Sequence, residues 1–445
     1  MQTMIEKLGT FVHELSIDRL PRSVVDTTKN VILHHLHTGF CGVEEMESQI
    51  ALSLLRENYG KGGRCTVLGQ KGKFPVIGAT FANAVLMHSI QQEDTYGGLH
   101  PGPHTIPAAM SLAEEENRTG KQILESLAAG YEVNLYLGDL CARYTSPRGW
   151  RGTTIFGVLG AAATSAKVLE LDLNQTMDAL ANASNMASGL MECWTTGTPE
   201  WLFTSGLAAQ NGVISATIAK KGGSGAKSSF EGSKGFFKAY CGTTPDNTES
   251  LMAGLGSKFL MPGVNLKPYT VITTILPVIH NVVRLATTDD IAPERVQSIV
   301  VIGGPRITKG PLASSILDPG PYVSRTQAFK SLPCAIGIAL KFREVSIHTI
   351  PQFQDPLVAR IAAKVSVETN DSAAEYFNKV EIATTDGKKH TIEGEEFPSL
   401  TPEEVRRNLL RSASKYVPRN KVEKLIKVVD QLEQTTAEDI STCLS

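Results

Sequence analysis

Three of the chain's ten histidines crowd into one window, Ala79 to Glu115, which reads ATFANAVLMHSIQQEDTYGGLHPGPHTIPAAMSLAEE. His88, Asp94, Thr95, His100 and His104 all fall within it. Imidazole titrates near neutrality, so a histidine held beside a carboxylate can take a proton from a substrate or return one. The window reads as an apolar helix with a polar tip, a Gly/Pro/His turn and a second apolar helix. Helix ends and the loops between them are where side chains and backbone N–H groups can meet a ligand. The plain alternative is a helix connection with solvated histidines.

The elements that must position this window are mostly helical. Apolar residues three and four apart predict helices over Val24 to Phe40, Pro75 to Ile90, Ile106 to Glu116, Gln122 to Leu140, Thr153 to Leu169, Asn174 to Leu190 and Ser205 to Lys220. The run GVLGAAATSAKVL is rich in small residues, which let helices approach closely. Near Gly254 the character changes. Arg295 to Gly303 and Tyr376 to Thr384 are β-branched strand candidates, and Lys388 to Ile392 can pair with the latter across Asp386-Gly387. Helices are expected in the same segment, at Val271 to Ala286 and Phe329 to Leu340. From Thr401 the chain turns helical again, with TPEEV as an N-terminal cap and Val422 to Leu432 amphipathic. The Gly/Ser/Lys run from Lys220 to Gly235 reads as a flexible loop.

Composition bounds the function. A chain of 445 residues supports two or three domains and a large core. A net charge of −2 gives no general attraction to nucleic acid or anionic membrane, and the basic residues of Lys220 to Lys238 lack interleaved aromatics. Seven widely spaced cysteines without a CxxC or Cys/His zinc pattern read as reduced thiols of a cytoplasmic protein. The N-terminal MQTMIEKLGTFVHEL is more like an amphipathic helix than a signal peptide, and no apolar run reaches membrane-span length.

The order of these motifs resembles the MmgE/PrpD family, which includes 2-methylcitrate dehydratase, cis-aconitate decarboxylase and iminodisuccinate epimerase. The matching pieces are ILHHLHTGFCG (Ile32 to Gly42), the Ala79 to Glu115 block with its HPG, AGYEV (Ala129 to Val133), GWRGTTIFGVLGAAATSAKVLELD (Gly149 to Asp172), LAAQNG (Leu207 to Gly212) and LKPY (Leu266 to Tyr269). The resemblance implies a mainly α fold: a large all-helical domain with an inserted, smaller α+β lid. Residues 1–255 and 399–445 would form the helical domain and residues 256–398 the lid. It further implies a homodimer without metal or organic cofactor, acting on a small carboxylic acid.

The family's histidine before Pro-Gly matches His100, its threonine matches Thr95 beside Asp94, and its lid lysine matches Lys267. Gln91 stands where the family has an aspartate, Arg151 where it has a histidine, and Trp201 near a family lysine. Tyr322 is the candidate for a lid tyrosine. His100 is the first choice for acid/base work, with His104 as the adjacent alternative. Lys267 would stabilise developing charge or donate a proton, and Asp94 would orient His100 or cap a helix. His88 on its apolar helix suits a core role. Arg151, before a predicted helix, offers a bidentate fork for a carboxylate. Trp194 and Trp201 flank TTGTPE and either line a pocket or pack a core. These residues point to a lyase, a dehydratase or decarboxylase. The rivals are an isomerase or epimerase, and a non-catalytic metabolite binder.

Overall fold

Thr3, Thr119, Asp172 and Thr401 each accept a backbone N–H at a helix start, and Glu6, Gln122, Gln175 and Glu404 bond back to them. Each such capping box satisfies two orphan donors, so these four starts are written locally in the sequence. The computed structural model describes residues 2–60, 62–310 and 312–444. The chain divides into two units, one of Met1–Met191, Glu200–Val264 and Thr401–Ser445, the other of Glu192–Pro199 and Asn265–Leu400.

The first unit is helical. Its long helices are Arg22–Gly42, Val76–His88, Gly102–Glu115, Gly120–Thr145, Gly152–Val168 and Trp201–Lys220. Gly120–Thr145 and Trp201–Lys220 both pack against Gly152–Val168. Small residues make that possible: a Cβ on Gly212 would stand 2.4 Å from Ala161 Cβ. Pro402–Ala413 returns to lie on Arg22–Gly42. The predicted helix from Asn174 ends at Ser184, short of Leu190. The Lys220 to Gly235 run has neither helix nor strand beyond its first residue, but Phe230 is fully buried and anchors it.

The second unit carries a four-stranded mixed sheet in the order Val365–Thr369, Val296–Gly303, Asn378–Thr384, Lys389–Gly394. The first pair is parallel and the others antiparallel. Ile299, Val301, Val380 and Ile382 are buried, and the helix Leu276–Thr288 packs against the last two strands. Gly387, at φ +84°, makes the expected hairpin turn. Val365–Thr369 was not foreseen. It is a five-residue edge strand, at most half-buried, whose alternation of Val365 and Val367 with Ser366 and Glu368 is too short to stand out. Among the described residues no helix is long and apolar enough to cross a membrane.

Candidate active site

The polar tip after Val76–His88 is buried, not solvated. His88, Glu93, Asp94 and His104 have no exposed surface, and His100 is 6% exposed. The chain reverses at Gln91, which adopts φ +54°, a left-handed conformation uncommon outside glycine. Gln91 and Thr95 are also buried. The Gln91 Oε1 atom has no hydrogen-bond partner among the described residues.

Asp94 organises the turn with two different groups. Its carboxylate accepts the Tyr131 hydroxyl at 2.8 Å and the Gly102 N–H at 3.2 Å to each oxygen. It therefore caps the Gly102–Glu115 helix, where the dipole favours a negative charge. His35 Nε2 lies 3.3 Å from Asp94 Oδ1. Burial alone would push the carboxyl up, but His35, Tyr131 and His100 outweigh it and hold Asp94 below its usual range. Gly102 is required here, because a Cβ would stand 2.1 Å from His35 Cε1. The backbone carbonyl of Asp94 does the orienting: His100 Nδ1 sits 2.6 Å from it. A carbonyl only accepts, so Nδ1 carries the hydrogen and the Nε2 lone pair becomes the basic position. The Asp94 side chain thus meets the helix start while its main-chain carbonyl meets the His100 ring.

Arg151 precedes the Gly152–Val168 helix as expected. Its guanidinium turns inward: Nη1 donates to Trp201 O at 2.8 Å and to Ser205 Oγ at 3.4 Å, and Nη2 donates to His88 Nε2 at 2.8 Å. Its Cζ is 5.3 Å from the Trp201 ring centroid. The indole in turn meets His88 edge-on at 4.8 Å. This differs from an open fork for a carboxylate, because residues 88, 201 and 205, far from 151 in sequence, converge on it. His104 donates Nδ1–H to His100 O at 3.1 Å, while its Nε2 is buried without a partner among the described residues.

The structure thus brings Gln91, Asp94, Thr95, His100, Arg151 and Trp201 into the first unit. Lys267 and Tyr322 belong to the second. Lys267 is buried; it follows Leu266, whose N–H donates to Ser399 Oγ and whose carbonyl accepts from Leu400. The Tyr322 hydroxyl is 2.9 Å from Ser331 Oγ and 3.0 Å from Asp318 O, an internal brace of that unit. Trp194 falls in the second unit and Trp201 in the first, and the Trp194 carbonyl accepts from Lys330 Nζ. Sequence reasoning missed His35, Glu93 and Tyr131. The HHLH run offered a signal: histidines 34, 35 and 37 on one apolar helix cannot all reach solvent. Glu93 and Tyr131 carried none. Among the described residues no group of three or more His, Cys, Asp or Glu is placed to hold a metal ion.

Replacing Asp94 by alanine would strand the Tyr131 hydroxyl and the Gly102 N–H without their acceptor in a buried interior. We expect Asp94→Ala to cost about 3 kcal/mol of stability in urea unfolding, and Asp94→Asn less. A loss below about 1 kcal/mol would show that the carboxylate is not holding the turn.

The family model described as the MmgE/PrpD N-terminal domain matches residues 6–249. The chain belongs to the MmgE/PrpD family. Among curated relatives, it is 26% identical to a cis-aconitate decarboxylase of Homo sapiens, across 97% of this chain and 92% of that protein. It is 24% identical to the cis-aconitate decarboxylase of Mus musculus, across 97% and 91%. To that of Aspergillus terreus it is 26% identical, across 57% and 54%.

Proposed function

We propose that the protein is a cofactor-independent lyase, a decarboxylase or dehydratase, acting on a small carboxylic acid. The observation that carries this reading is His100, buried, tied through Nδ1 to the Asp94 carbonyl and so left with a basic Nε2. Removing or delivering a proton next to a carboxylate needs such a group, together with positive charge to stabilise an enediolate-like state. Arg151 supplies fixed charge within the first unit. Lys267 is the proposed second cation, an assignment that rests on the LKPY motif. Gln91 Oε1, buried and without a partner among the described residues, offers an acceptor to a substrate hydroxyl. Thr95 and Trp201 are the other proposed substrate-side residues. Relatives named cis-aconitate decarboxylase favour decarboxylation.

The test is proton NMR in deuterated water with 2-methylcitrate, citrate, cis-aconitate, iminodisuccinate and longer alkyl citrates. Net product from one acid is expected and identifies the reaction. Solvent deuterium entering an unchanged acid would replace the lyase by an isomerase or epimerase, the reading that Gln91 and Arg151 at departing positions keep open. Silence from every acid would mean that Gln91, Arg151 and Trp201 mark a different substrate or a lost activity. We also propose a homodimer, for which light scattering should return about twice the 47.9 kDa chain mass.

A further inference from the structure

We propose that Glu93 is a positioning residue for His100: its carboxylate stands on the Nδ1 side of both His88 and His100, fixes Nδ1–H as the tautomer of both rings, and so presents Nε2 of His100 as the reacting nitrogen. The proposal rests on the lyase reading only for what that nitrogen then does.

Glu93 is fully buried between the two imidazoles. Its Oε1 is 3.3 Å from His100 Nδ1 and its Oε2 is 3.5 Å from His88 Nδ1. One carboxylate therefore faces two rings, one oxygen each, and its contact with His88 is electrostatic, at 3.5 Å and without a formed hydrogen bond. The outer ring is locked from its far side. Arg151 Nη2 donates to His88 Nε2 at 2.8 Å. A guanidinium has no acceptor and stays protonated, so His88 Nε2 must carry a lone pair. Burial holds His88 neutral, with its pKa lowered to about 4. A neutral ring has one N–H, and that of His88 then lies on Nδ1, facing Glu93. The Trp201 ring at 4.8 Å and the Arg151 bond to Trp201 O hold this arrangement against rotation. On the inner ring, the Asp94 carbonyl accepts the same Nδ1 hydrogen that Glu93 faces. Arg151, His88 and Glu93 thus form a line of fixed polarity ending at His100. The ring nitrogen that reacts is set by what the other nitrogen meets.

Histidine-selective 15N labelling and long-range 1H–15N correlation at pH 8 test this on the whole chain, with signals assigned through His88→Gln and His100→Gln. Both rings should show a protonated Nδ1 and a bare Nε2. A proton on Nε2 of His100 would overturn the proposal without any variant being needed. Glu93→Gln offers one oxygen to two Nδ1–H groups, so a second tautomer should emerge in at least one ring. Arg151→Met should produce it in His88. On whichever acid is turned over, Glu93→Gln should lower kcat at least about tenfold with KM within about twofold. Unchanged tautomers and unchanged kcat in Glu93→Gln would assign the orientation to the Asp94 carbonyl alone and overturn the role of Glu93. If no acid is turned over, the lyase reading fails while the tautomers still decide this one.

Discussion

His100→Ala is expected to lower kcat by about 10²- to 10⁴-fold on the acid that the protein converts, the usual contribution of a positioned acid/base group. The expectation follows from the Nδ1 contact with the Asp94 carbonyl, which aims the ring and leaves Nε2 basic. The fold should survive, because the Asp94 carboxylate and the Gly102–Glu115 helix keep their own bonds to each other. Circular dichroism and a melting curve check that, and steady-state kinetics give the rate. His104→Ala is the companion variant. Its ring is fully enclosed and turned to the His100 carbonyl, so it should alter stability more than kcat. Full activity in His100→Ala with loss in His104→Ala would exchange the two assignments.

The second large effect is on stability against acid. Desolvation holds His34 and His88 neutral, with pKa values lowered to about 4, and His37 lowered to about 3. Burial drives His104 well below its usual value too. In the unfolded chain these rings titrate near 6.5. Below that pH the unfolded state takes up protons that the folded state refuses, so stability falls as pH falls. By pH 5 the first three contribute a loss of about 6 kcal/mol relative to pH 8. Glu132 opposes them. Its carboxylate accepts the Leu260 and Met261 N–H groups, yet burial pushes its pKa up to about 7. Its contribution is present below the unfolded value and lost as pH rises through 7, which offsets about 2–3 kcal/mol at pH 5. A net loss of about 3–4 kcal/mol remains before His104 is counted. Urea unfolding at pH 8 and pH 5 measures it. Glu132→Gln should steepen the decline, and equal stability at the two pH values would show that these rings are protonated in the folded state.

Much of the fold was legible because helical periodicity, capping boxes and an Asp-Gly turn are local. Thr401 with Glu404 starts a helix whatever surrounds it, and Gly387 turns a hairpin on its own conformational preference. Small residues around Gly160 and Gly212 already announced closely packed helices. Where local patterning is short, the reading failed: Val365–Thr369 alternates over only five residues and is fixed as a strand by its pairing with Val296–Gly303. In the site, residue types spoke clearly and partners did not. His100 stood out beside Pro-Gly, and Asp94 offered two roles that sequence left open. Arg151 looked like an open cation until Trp201, Ser205 and His88 closed around it.

Helical dominance, the interrupting α+β segment, the family's motifs and the gathering of polar residues at 88–104 were all readable along the chain. The folded chain added that this gathering is buried, that Asp94 caps one helix while its carbonyl aims His100, and that His35, Glu93 and Tyr131 share the cluster. The reason is physical. A secondary-structure preference is set by neighbours along the chain, whereas the tautomer and basicity of a buried imidazole are set by whichever donors and acceptors the fold brings within about 3 Å.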